Sequence, residues 1–188
     1  MSIDKHAAEG AVKFYKEVEL FGDGPKAKEL SDVVKQHALL GLGAALIPIP
    51  GADLAALAVN TWTMYVRINK VLGVSFGDNV LKSIASGVIA NIATLLPGLG
   101  LGLLAEGVAK FIPGFGTIAG MAVGAVVNVG VMYAAGKVYI KALEKLINNG
   151  SSLTEENIAQ AAKETAKEKA FVSEAYKEGK EFGKANKK

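Results

Sequence analysis

The stretch FIPGFGTIAGMAVGAVVNVGVMYAAG, Phe111 to Gly136, runs for 26 residues between Lys110 and Lys137 without a charge. A bilayer-crossing helix needs about 20 predominantly apolar residues, so the run is long enough to span. Within it, Gly116, Gly120 and Gly124 recur every four residues. Small residues at that interval share one helix face and let a second backbone come close. The spacing predicts a helix from about Gly116 to Asn148 that packs against another helix through these three glycines. Gly120, at the centre of the face, is expected to tolerate a large side chain less well than Gly136, near the charged end.

Working outward from this run, the rest of the chain also reads as helix. Ile3, Ala7, Ala11, Phe14, Val18 and Phe21 form one apolar stripe at helical spacing. They define an N-terminal amphipathic helix over residues 1–24. Pro25, suited to a first helical turn, opens a second helix to about Leu46. Its start is polar, and it becomes wholly apolar after His37. A third helix is expected from about Ala52 to Leu72. Asp53 is placed to cap its free N–H groups, and Asn60, Thr63 and Arg67 give it a polar side. A fourth starts near Val80, and a short one follows over Leu101 to Phe111. After the stop at Asn148-Asn149-Gly150-Ser151, Thr154 with Asn157 opens a charged C-terminal helix within 149–188, expected to fray past Gly179. No alternation lasts long enough for a strand. The fold class is therefore all-α: an apolar helical-hairpin core over 25–148, flanked by amphipathic terminal helices.

Three breaks share one form, two apolar residues, a proline, two residues and a glycine: LIPIPG at Leu46–Gly51, LLPGLG at Leu95–Gly100 and FIPGFG at Phe111–Gly116. In each, proline removes a helix donor and glycine permits the turn, at Pro48, Pro50 and Gly51, at Pro97 and Gly98, and at Pro113 and Gly114. Each break turns the chain between apolar helices without a polar loop. Such a turn suits a protein interior or lipid.

Charge is distributed as a polar–apolar–polar sandwich. Residues 1–36 carry six Lys and seven acids, and residues 137–188 carry eleven Lys and eight Glu. The hundred residues between have only Arg67, Lys70, Lys82 and Lys110 against Asp53, Asp78 and Glu106. The lysine excess of the tail would favour an anionic lipid surface, and a solvated helix of mixed charge reads the same way. A single Arg argues against nucleic acid as a partner. Cysteine is absent, which excludes a disulfide framework or a thiolate metal site and fits a reducing compartment. The first residues, MSIDKHAAEG, contain no apolar core of a secretory signal.

Catalytic constellations are missing. His6 and His37 are the only histidines, and neither has an acid partner fixed by spacing. There is no HExxH, no GxSxG elbow and no GxxxxGK[ST] phosphate loop. Gly98, Gly100 and Gly102 follow no strand, so they do not make a dinucleotide fingerprint. The sequence thus gives no enzyme, no cofactor and no metal site. Trp62, Tyr65, Tyr133 and Tyr139 suit either interfacial anchors or core positions.

The PIPGAD turn, the helix containing Met64-Tyr65-Val66-Arg67, the Gly73-Val74 connector and the later IPGFG turn carry a resemblance. Over roughly residues 35–143 the chain resembles the YcjF/GTPase-associated domain of unknown function. The resemblance implies a domain that follows a small GTPase or occurs as a membrane protein. This chain has no GTPase module, so the implied GTPase would be a separate partner. The family's turns carry no catalytic residues, and none are transferred.

Three readings follow. The first is a non-enzymatic membrane-associated helical module. It acts by lipid insertion and helix–helix association, with membrane lipid, a GTPase or a second copy as partner, on the cytoplasmic side of a membrane or in the cytoplasm. The second is a soluble helical-bundle interaction or immunity-type protein. The third is a pore-forming or membrane-disrupting protein.

Overall fold

The computed structural model describes residues 25–44, 52–95 and 118–186. Six helices cover most of them: α1 (Pro25–Ala44), α2 (Ala52–Leu72), α3 (Asp78–Leu95), α4 (Ile118–Asn148), α5 (Glu155–Thr165) and α6 (Lys169–Ala185). No strand occurs among the described residues, and the fold is all-α. The N-terminal helix expected over 1–24 and the short helix expected over Leu101–Phe111 lie outside the described residues. So do the turns at Pro48, Pro50, Gly51, Pro97, Gly98, Pro113 and Gly114.

Each outer helix buries one stripe. On α1 it is Ala27, Leu30, Val33, Val34, His37 and Ala38; on α3, Leu81, Ile84, Ala85, Val88, Ile89 and Ile92. These offsets of three and four are the apolar period of a helix on a core. The stripes converge on α4, which touches all five other helices. From Ala125 to Ile140 almost every residue of α4 is buried. A helix apolar all round belongs inside a protein or a membrane, and here other helices cover it. Its segment Ala125–Asn148, 24 residues, is long and apolar enough to cross a bilayer, yet most of it is buried among its neighbours. Each fully buried Leu, Ile or Met of this core contributes about 1.5–3 kcal/mol through removal from water.

The ends of α2 and α4 are built alike. Gly73, at φ 69°, and Gly150, at φ 63°, adopt the left-handed conformation that glycine enters without steric cost. Gly73 N donates to Lys70 O at 3.3 Å and Val74 N to Asn69 O at 3.0 Å. Gly150 N donates to Ile147 O at 3.0 Å and Ser151 N to Leu146 O at 2.9 Å. Both are Schellman caps, which satisfy carbonyls left free at a helix end. Lys26 Nζ of α1 caps Val71 O as well, at 2.6 Å.

The C-terminal region departs from expectation. Thr154 is the N-cap, its hydroxyl accepting from Asn157 N at 3.2 Å, as the sequence suggests. The single helix expected after it is two, separated at Ala166–Glu168 by a tight turn in which Lys167 N bonds Glu164 O and Glu168 N bonds Thr165 O. The bend lets α5 pack on α3, with the connector ahead of α3 tied to it by Gly77 N to Glu155 Oε1 at 2.8 Å, while α6 lies along α4. Nor does α6 fray at Gly179. It continues to Ala185, because Gly179 and Gly183 are its contact points on α4.

Candidate functional site

The polar groups of the core gather between α1, α2 and α4. His37 Nδ1 lies 2.7 Å from Asn60 Oδ1, and Asn60 Nδ2 donates to His37 O at 2.9 Å, a reciprocal pair between α1 and α2. Given that contact, Nδ1 carries the proton. Beside it, Arg67 Nη2 donates to Gln36 Oε1 at 2.8 Å. The polar side of the third expected helix is therefore the side that meets α1. Deeper in, Tyr65 and Tyr139 stack with ring centroids 3.9 Å apart and planes 11° apart. Tyr65 OH donates to Ala135 O at 3.1 Å, and Tyr139 OH to Asn69 Oδ1 at 2.9 Å.

Electrostatics hold these groups neutral. Burial lowers the His37 pKa, and the hydrogen bond that its ring donates to Asn60 opposes that shift without overcoming it. Burial likewise pushes both phenols well above their ordinary range. None of these groups is paired as nucleophile and base, and no cluster of three metal-capable side chains occurs among the described residues. The arrangement ties α1, α2 and α4 together. Its proton linkage is directional: a folded-state pKa below the unfolded value means that the unfolded chain binds the extra proton. Stability is full above the ordinary His pKa, about 6.5, and declines as pH falls below it. Urea midpoints measured between neutral pH and pH 5 should fall for the wild type and fall less for His37→Gln. Parallel curves for the two proteins would remove His37 as the cause.

The aromatic residues divide accordingly. Tyr65 and Tyr139 are fully buried core, whereas Trp62 and Tyr133 are partly buried against it. Lys82 Nζ lies 4.4 Å from the Trp62 ring centroid, a cation–π contact between α3 and α2. Of the asparagines in apolar runs, Asn60 meets His37, and Asn91 Nδ2 donates to Gly87 O of its own helix. Asn128 is buried with its Nδ2 unpartnered.

Glycine packing is present, at positions the four-residue repeat did not single out. A Cβ on Gly179 of α6 would lie 2.5 Å from Tyr133 Cβ and 3.0 Å from Gly130 Cα of α4. On Gly136 it would lie 2.7 Å from a Val34 methyl of α1 and 3.1 Å from Met64 Sδ of α2. Gly136 is thus a close-approach position in its own right. Gly116 lies outside the described residues. Gly120 and Gly124 belong to α4, and Asp53 is the second residue of α2, but their surroundings lie outside the described residues too.

No family model matches the chain, and no solved structure matches it. Among curated proteins it is similar to magnetosome membrane protein 22 of Magnetospirillum gryphiswaldense, 30 % identical over 114 residues. The match takes in 60 % of this chain and 56 % of that protein, so the chain spans little more than half the length of the relative.

Proposed function

We propose that this chain is a non-catalytic, membrane-associated helical protein. It acts by insertion into lipid and by helix–helix association. The similarity to a protein named for a membrane carries this reading, and the long charge-free runs of the sequence support it. The placement proposed is the cytoplasmic side of the membrane. The resemblance to the YcjF/GTPase-associated domain adds a separate GTPase as the partner that would make the association nucleotide-dependent.

Flotation tests the membrane part directly. Full-length protein is mixed with vesicles of phosphatidylcholine and phosphatidylglycerol and centrifuged under a sucrose step without detergent. The expected result is protein in the floating vesicle fraction. Protein that stays at the bottom with both mixed and purely zwitterionic vesicles would refute the reading.

A further inference from the structure

α2 is the middle helix of a layer, packed on α1 along one edge and on α3 along the other. Its inner face meets Met132, Ala135 and Tyr139 of α4 through Thr61, Tyr65 and Asn69. α6 meets α4 elsewhere, at Val129, Gly130 and Tyr133. With about 3.6 residues per turn, these two sets lie on well-separated sides of α4. The outer side of the α1–α3 layer therefore points away from α6 and its exposed charges.

The large apolar side chains left exposed among the described residues all belong to this outer side: Leu40 at 63 %, Val59 at 58 % and Val66 at 39 %. Val59, Thr63, Val66 and Lys70 follow one line along α2, at steps of four, three and four. The buried Leu57, Thr61 and Ile68 occupy the opposite face, so the line is the crest of the helix. Leu40 lies one turn beyond Gln36, whose side chain reaches Arg67, and so adjoins the crest from α1. From α3 the exposed neighbours are Ser86, Gly87 and Ala90, small and uncharged. They leave the crest of α2 open to a broad surface.

Cations border the crest. Lys70 ends it, Arg67 stands on its α1 edge, and Lys82 reaches over Trp62 on its α3 edge, 4.4 Å from the ring centroid. Among the described residues no acid pairs with any of these three. The lysines of α4 differ: Lys137, Lys141 and Lys145 pair with Glu178, Glu144 and Glu168. The acids nearest in sequence to the crest's charged end do not neutralise it. Asp32 is taken by Lys28, and Asp78 sits in the first turn of α3, where the helix dipole holds a negative charge. Glu29 alone is left against three cations.

Exposed aliphatic groups bordered by unneutralised cations suit an anionic lipid surface. Aliphatic groups enter the boundary between headgroups and acyl chains, and Lys and Arg meet the phosphates. The long stems of Lys and Arg lie along apolar surface while their heads stay at the polar level.

We infer that the folded bundle lies sideways on an anionic phospholipid surface, crest of α2 inward, with Leu40, Val59 and Val66 at the acyl boundary and Arg67, Lys70 and Lys82 on lipid phosphates. α4 stays a core helix in this arrangement. The inference rests on the membrane reading above and names its face and its lipid.

The absence of cysteine permits a clean test, since a single introduced thiol carries the only label. Leu40→Cys, Val59→Cys and Val66→Cys report on the crest, and Lys163→Cys on α5 and Glu174→Cys on α6 report on the far side. Each full-length variant is coupled to an environment-sensitive fluorophore and mixed with the phosphatidylcholine–phosphatidylglycerol vesicles. Emission should rise and shift to the blue at 40, 59 and 66 and stay unchanged at 163 and 174. Lys70→Gln should lower the vesicle partition coefficient about fivefold, the factor expected for one cation at an anionic surface, and Lys163→Gln should leave it unchanged. Thermal stability should be that of the wild type in both. Equal responses at all five positions, or equal binding to purely zwitterionic vesicles, in protein that floats would overturn the inference and spare the membrane reading. Failure to float would end both. Blue-shifted emission at 59 and 66 before vesicles are added would mean that a second copy or another part of the chain covers the crest, and would overturn the inference.

Discussion

Gly179→Ala should lower the stability of this protein, whereas the same change at Gly87 should raise it. The intrinsic helix term favours alanine at both sites, by about 1 kcal/mol. The surroundings decide the sign. On α3, a Cβ at Gly87 meets nothing within 4 Å, so the helix term is realised nearly in full. On α6, the Cβ at Gly179 would stand 2.5 Å from Tyr133 Cβ and 3.0 Å from the Gly130 backbone. Neither obstacle is the movable end of a side chain, so α6 must shift away from α4 along its length. Overpacking in a tight core costs about 1–3 kcal/mol, and a backbone obstacle places this case at the upper end. After the helix term, the net loss is about 2 kcal/mol. Urea unfolding of the two single variants checks both signs. Wild-type stability for Gly179→Ala would mean that α4 and α6 are not in close contact there.

A larger loss is expected at the stacked tyrosines. Tyr139→Ala removes a fully buried ring and leaves a cavity against Tyr65, at about 3–5 kcal/mol. Tyr139→Phe keeps the ring and removes only the donor to Asn69 Oδ1. Asn69 is buried and its Nδ2 already lacks a partner, so the variant would strand both ends of one amide. Leaving a buried acceptor unsatisfied costs about 1–3 kcal/mol. Equilibrium denaturation should therefore rank wild type, Tyr139→Phe and Tyr139→Ala in descending stability. If Tyr139→Phe matches the wild type, the hydrogen bond contributes nothing and Asn69 is satisfied by water.

The sequence made these elements visible to different degrees. The bounds of α2 follow from the PIPGAD break on one side and Gly73 on the other, and the observed Ala52–Leu72 agrees with them. Thr154 with Asn157 likewise announces α5, because a cap is a local interaction between near neighbours. The break between α5 and α6 leaves no such trace. Ile158, Ala162, Thr165, Val172, Tyr176, Gly179 and Gly183 keep helical phase straight through it, and neither proline nor glycine marks the bend. The turn is imposed by where α3 and α4 lie, which a linear pattern does not encode. Gly179 shows the converse. Its low helix propensity suggests fraying, but propensity yields to packing when a facing glycine and a tyrosine Cβ sit opposite. GKEFG, with glycines four residues apart on the face that holds Val172, Ala175 and Tyr176, is the signal that could have located the contact. The His37–Asn60 and Tyr139–Asn69 pairs join residues 23 and 70 positions apart, and nothing in one sequence specifies such partners.

The position of α4 in the chain has a consequence for how the protein is made. Its covering helices lie on both sides of it in sequence: α1, α2 and α3 before, α5 and α6 after. A chain emerging from the ribosome therefore offers α4 only part of its cover at first. Val34 and Met64 are already available to close over Gly136. The strip of Val129, Gly130 and Tyr133 waits for Gly179 and Gly183, which are synthesised later. During that interval the most apolar of the described helices lacks the cover that α6 gives the strip around Gly130 in the finished fold.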